Sequence, residues 1–195
     1  MDQQRSLQET RPLIAQTSVF TDTYVIVRLS EAERRAVSAY ARAAEIGGMS
    51  NIRGNGDRQA ALVEDQLSGM ACNYGFAKYL GRKDLFAITR YVQNKHRTVG
   101  DDGEDLIGLR LDVKGGMWRY RNIPIAEHHL LVRPAERHAG HVYVMALYAE
   151  PDVILVGWLR DDELPDEPEP EGMFKGAHAV KAASLHPLPP LRWVL

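Results

Sequence analysis

The chain has 195 residues, 45% of them hydrophobic, which suits one soluble domain with a core of normal size. Its single cysteine, Cys72, excludes an internal disulfide framework and fits a reducing compartment, and no apolar run reaches the roughly 18 residues that span a bilayer. The net charge of −2 hides an asymmetry, because residues 161–171 hold seven acids and no base while residues 1–160 carry 21 Lys and Arg against 19 acids. Arginines outnumber lysines 18 to six, and arginine is the better fork for phosphate. A nucleic-acid partner is therefore permitted, though not demanded.

Residues 1–17 are polar, lack the apolar core of a signal peptide, and read as a flexible or docking arm. Residues 19–29, with Tyr24-Val25-Ile26-Val27, read as a strand or extended segment. Ser30-Glu31-Ala32-Glu33 is a capping box, in which the hydroxyl and the Glu33 carboxylate satisfy amides at a helix start. The helix runs to about Ile46, with Ala36, Val37, Tyr40 and Ala44 on one stripe, and Gly47-Gly48 ends it. After a loop over 49–56, Asp57 caps a second and longest helix over about 58–80, which Gly81 stops. Leu62, Val63, Leu67, Met70, Tyr74 and Ala77 form its apolar face; Glu64 flanks that face on one side, Gln66 and Asn73 on the other.

Beyond a mixed piece after Arg82, the run Arg90-Tyr91-Val92-Gln93-Asn94-Lys95-His96-Arg97 interleaves bases with an aromatic ring. Arg90, Lys95 and Arg97 suit a nucleic-acid backbone; the plain alternative is a solvated charged loop. Residues 109–114 then alternate apolar and charged with a period of two, the pattern of a half-buried strand. Asp112 and Lys114 share one face of that strand while Val113 turns into the core. Asp105 lies seven residues before Asp112, an odd spacing that a straight strand would send to the opposite face, and Gly108 offers a bulge or bend that brings the two together. Two carboxylates and an ammonium between glycines suit a hard cation with oxygen ligands, Mg²⁺ above all.

After Gly115-Gly116 the pattern restarts. Trp118-Arg119-Tyr120-Arg121 alternates aromatic and basic residues, which makes Arg119 and Arg121 further candidates for a backbone contact. Leu130-Leu131-Val132-Arg133 is extended and broken by Pro134. Residues 142–148 and 153–158 are two apolar runs joined by a hairpin turn at Ala149-Glu150-Pro151-Asp152. Helices followed by neighbouring strands predict an α+β fold, a mixed β-sheet flanked by helices. The domain spans 18–160; residues 161–172 form an acidic, Pro-rich loop or linker, and 173–195 dock on the same domain as a strand and irregular cover. His138 and His141, with His128 and His129 nearby, do not match a structural zinc pattern beside one distant cysteine.

At Asp105-(six residues)-Asp112-Val113-Lys114 the sequence resembles the core motif of the PD-(D/E)xK nuclease superfamily, with Glu104 where that motif has proline. The likeness extends over about 58–160 to small bacterial and phage members, through Asp65-Gln66-Leu67, Ala77-Lys78-Tyr79-Leu80-Gly81, Leu130 to Pro134, Glu136-Arg137-His138 and Val156-Gly157-Trp158. It implies a restriction-endonuclease-like core in a cytoplasmic protein, bacterial or phage-encoded. It also implies Mg²⁺, replaceable by Mn²⁺, on Asp105 and Asp112 with the Val113 carbonyl as an extra ligand, and Lys114 orienting or activating water. A further polar group would come from the preceding helix, at Glu64 or Gln66; some relatives carry a glutamate where this chain has Asn73. The resulting expectation is a Mg²⁺-dependent nuclease acting on nucleic acid, DNA before RNA, as a monomer or homodimer and without a membrane. The rivals are a nuclease-fold binding or phage assembly protein that has lost chemistry, and a DNA-binding regulator, for which no helix offers a basic recognition face.

Overall fold

Seven strands and two helices are found in the computed structural model, which describes residues 18–20, 24–46, 59–86, 106, 108–118 and 122–188. In chain order these are β1 (Ser18–Phe20), β2 (Val25–Arg28), α1 (Glu31–Ile46), α2 (Gln59–Tyr79), β3 (Leu111–Met117), β4 (His129–Val132), β5 (Val142–Ala149), β6 (Asp152–Arg160) and β7 (His178–Lys181). The class is α+β. Five strands form a mixed sheet in the order β1-β2-β6-β5-β3, in which only β3 and β5 run parallel, and β4 pairs with β7 in a separate antiparallel ribbon.

Local chemistry sets several boundaries. The Ser30 amide donates to Glu33 Oε2 at 2.8 Å and the Glu33 amide to Ser30 Oγ at 3.2 Å, the reciprocal cap that starts α1. Gly81, at φ 66°, ends α2: its amide donates to the Lys78 carbonyl and the Arg82 amide to the Ala77 carbonyl, which satisfies two orphan acceptors. Glu33 does more than cap. Its carboxylate also takes Lys78 Nζ at 2.7 Å and Lys83 Nζ at 2.8 Å, tying α1 to the end of α2. Burial pushes this carboxyl up, but those hydrogen bonds and the Ser30 amide prevail and hold it down at about 2.

The large sheet has a core on each face. On one, Val25, Val27, Leu111, Val113, Val144, Ala146, Val153 and Leu155 pack with Val37 and Ala41 of α1 and with Met70, Cys72, Phe76 and Ala77 of α2. On the other, Tyr143, Met145, Leu147, Ile154 and Leu159 pack with Leu130 and Val132 of β4 and with Leu164 and Ala182. A bulge in the β5–β6 pairing between Met145 and Ala146 adds one residue to β6 and resets its alternation. Trp158 thereby reaches the helix side and Leu159 the ribbon side.

The motif strand departs from its expected limits. The glycine pair read as a break, with a new strand from Met117; instead β3 continues through Gly115 and Gly116 to Met117, all paired with β5. Gly115 has a packing reason to be there, since a Cβ on it would stand 2.5 Å from Cys72 Cβ and 2.8 Å from its Sγ. Helix α2 thus lies directly on β3. Between β3 and its parallel partner β5, the described residues form β4 and the 3₁₀ turns Ile125–Glu127 and Pro134–Glu136. Beyond β6, Leu164 is buried and Pro165 O accepts from Arg137 Nη1 at 3.2 Å, while most of residues 165–171 are exposed. The tail bonds back in both directions between Trp158 and His186, at 3.0 and 2.9 Å. Among the described residues no helix is long and apolar enough to cross a membrane.

Candidate active site

Alternation along β3 decides what the site contains. Leu111, Val113 and Gly115 face the helices, so Asp112 and Lys114 face the β4–β7 side. Asp112 is only 7% exposed and stands opposite Tyr143 in the β3–β5 register. A carboxylate this buried needs a charged partner, and Lys114 supplies it: Nζ lies 2.7 Å from Asp112 Oδ2.

The same ammonium reaches a second carboxylate, Glu136 Oε2, at 2.9 Å. Glu136 sits in the 3₁₀ turn Pro134–Glu136 between β4 and β5. That turn is fastened from several sides. Tyr143 Oη donates to the Glu136 carbonyl at 3.2 Å and accepts the His138 amide at 2.8 Å. Next to it, Arg137 binds Asp161 through Nε at 3.0 Å and the Asp161 and Pro165 carbonyls through its other nitrogens. Burial of Tyr143 raises its phenol above the ordinary range, which keeps it a neutral donor.

Burial disfavours charge on Lys114, but its two carboxylates prevail and hold it at about 12. Burial likewise pushes Glu136 up, and the Lys114 ammonium holds it below the usual carboxylate range. Lys114 is therefore a cation near neutral pH, able to orient a group or offset negative charge. The triad of Asp112, Lys114 and Glu136 carries a net charge of about −1, so it has capacity for a cation. Both carboxylate oxygens lie on one nitrogen, hence within about 6 Å of each other. The Asp112 and Glu136 carboxylates are oxygen donors of the kind a hard cation takes, and Lys114 Nζ lies between them. Among the described residues, no group of three His, Cys, Asp or Glu converges as a metal-binding cluster.

The structure brings together Asp112 and Lys114 of the expected residues. Val113 projects into the helix-side core, while its main chain lies in β3 opposite Val144. Gln66 is half-buried on α2, in the layer against the opposite face of β3, and Asn73, on the same helix, is 4% exposed. Gly108, at φ +78°, makes the bend that feeds β3, where the Leu109 amide donates to the Leu106 carbonyl at 3.1 Å. Asp105, the Glu64 side chain, Arg90, Lys95, Arg97, Arg119 and Arg121 lie outside the described residues.

Glu136 was not singled out from the sequence as a site residue. Its signal was faint: a proline followed two residues on by an acid, which is also how a short turn begins. The His138 and His141 rings sit 5.0 Å apart between centroids, beside the same turn. A groove of about 460 Å³ lies elsewhere, along α1, lined by Arg34, Arg35, Arg42 and Glu150 among others. Glu150 follows the far end of β5, seven residues from Tyr143, so that groove is on the order of 20 Å from Asp112. Scans against family models, curated proteins and solved structures find no match to this chain.

Proposed function

We propose that the chain is a Mg²⁺-dependent nuclease of the restriction-endonuclease-like class, hydrolysing phosphodiester bonds in DNA. One observation carries this reading: a buried carboxylate and a charged ammonium, two residues apart on one face of the edge strand β3, share a small polar site with a second carboxylate. Asp112, with Asp105, would hold Mg²⁺ or Mn²⁺ and the Val113 carbonyl would add a ligand. When bound, such a cation polarises the scissile phosphate and acidifies a water. Lys114, fixed as a cation, steers that water or offsets charge growing on the phosphorane. On the same face as Asp112 and Lys114, Gly116 adds no side chain, and a Cβ there would meet nothing within 4 Å.

A second reading keeps the fold and drops the chemistry: a nucleic-acid-binding or assembly protein. It is favoured by Asn73, a buried amide on α2 where some members of the resembled family carry a glutamate. Incubation of linear and supercoiled DNA and of RNA with purified protein in Mg²⁺ or Mn²⁺ separates the two. The nuclease reading expects metal-dependent cleavage, abolished by chelator and by Asp112→Asn. Binding without cleavage at high protein and Mn²⁺ would leave the inactive reading standing.

A further inference from the structure

Lys114 has two carboxylate partners of different origin, and the proposed chemistry uses only one of them. Asp112 lies on its own strand; Glu136 comes from a turn 22 residues further on. In the absence of metal the three protons of the ammonium serve both. A cation on Asp112 changes this balance, because it draws the carboxylate charge to itself and repels the neighbouring ammonium. Four flexible carbons would then let Lys114 swing out of the site.

Glu136 opposes that swing, and it is placed to do so. Its backbone is fixed to the strand beside Asp112 through the buried Tyr143, which donates to the Glu136 carbonyl and stands opposite Asp112 in the register. Its side chain also faces the Arg133 amide, 3.4 Å from Oε2. Helix α2 packs on the other face of β3, so among the described residues the acid that reaches this ammonium from outside the strand comes from the turn. We infer that Glu136 is a positioning residue for the nuclease reaction: it keeps the Lys114 ammonium beside the reacting phosphate while Asp112 is engaged with the cation. The inference rests on the nuclease reading of Asp112 and Lys114.

The test combines kinetics with a signal that needs no turnover. Wild type, Glu136→Gln and Glu136→Asp are compared in kcat and KM on DNA with Mg²⁺, in thermal melts in chelator, and in the Lys114 ¹⁵Nζ resonance with and without Mg²⁺. Glu136→Gln should lose about 10–100-fold in kcat with KM nearly unchanged, the scale of losing a supporting partner, and Glu136→Asp should recover part of it. The Lys114 resonance should survive Mg²⁺ in wild type; in Glu136→Gln it should be present in chelator and vanish on adding Mg²⁺. A Glu136→Gln variant that cuts like a cutting wild type, or keeps its Lys114 signal in Mg²⁺, overturns the inference alone. A loss of kcat matched by a lower melt and not recovered by Asp also overturns it, in favour of a structural role. A wild type that leaves DNA intact at high protein in both Mg²⁺ and Mn²⁺ overturns the nuclease reading and this inference with it.

Discussion

Gly115 and Gly116 are neighbours on β3 that face opposite layers, so alanine at each position forms a matched pair. At Gly115 the new Cβ would stand 2.5 Å from Cys72 Cβ, 2.8 Å from its Sγ and 3.5 Å from Gly69 Cα. Carbon atoms rest at about 3.5–4.0 Å, so α2 and β3 would have to separate by roughly 1 Å. The helix has little freedom to yield, because Gly75 is pressed as closely on Val153, where a Cβ would come within 2.7 Å. Overpacking of this kind costs about 1–3 kcal/mol, and with two such contacts along one helix the upper part of that range applies. For a chain of this length that is a fall of roughly 5–10 °C in Tm. At Gly116 a Cβ meets nothing within 4 Å and the backbone φ is not positive, so Gly116→Ala should be neutral or up to about 1 kcal/mol stabilising. Adding Cys72→Gly to Gly115→Ala removes the clash, and although glycine in a helix costs about 1 kcal/mol, the pair should be more stable than the sum of its singles. Urea and thermal melts of wild type, Gly115→Ala, Gly116→Ala, Cys72→Gly and the Cys72→Gly, Gly115→Ala double variant provide the assay. Equal stability of Gly115→Ala and Gly116→Ala would mean that α2 does not lie on that face, and the assignment of Asp112 and Lys114 to the other face would fall with it.

Three further outcomes follow from charge and burial. The Glu33 carboxyl titrates at about 2 in the folded chain against an ordinary 4.5, so its contribution is present above pH 4.5 and is lost as pH falls toward 2. Glu33→Gln should therefore cost up to about 3 kcal/mol at pH 7, a gap that closes in urea melts as pH approaches 2; a gap independent of pH would rule out the ion-pair account. In the acidic segment, neutralising the exposed Asp166, Glu167, Glu169 and Glu171 should change stability by less than about 0.5 kcal/mol and tighten non-specific DNA binding at low salt, read by anisotropy. Leu164→Ala beside them should cost about 2–4 kcal/mol, because that side chain is buried in the ribbon-side core.

What could be read from the sequence was local. The Ser30–Glu33 cap, the Gly81 stop and the turn at Glu150-Pro151 each depend on a few adjacent residues, and the structure has all three. The shared face of Asp112 and Lys114 followed from the pleat alone. What escaped was non-local. Gly115-Gly116 looked like a break because its purpose, close approach of Cys72, lies 43 residues earlier in the chain. Glu33 looked like a cap because its lysines are 45 and 50 residues away. The β4–β7 pairing joins segments with no common pattern, and Glu136 reaches the site from a turn that Tyr143 of β5 and the Arg137–Asp161 pair hold in place.

The most direct test of the metal site is a crystal soaked in Mn²⁺ and measured at the manganese edge. The account predicts an anomalous peak at ligand distance, about 2.1–2.3 Å, from the Asp112 carboxylate, on the face that carries Lys114 and absent in Asp112→Asn. An Asp112–Lys114–Glu136 triad unchanged at saturating Mn²⁺, with no peak beside Asp112, would contradict it.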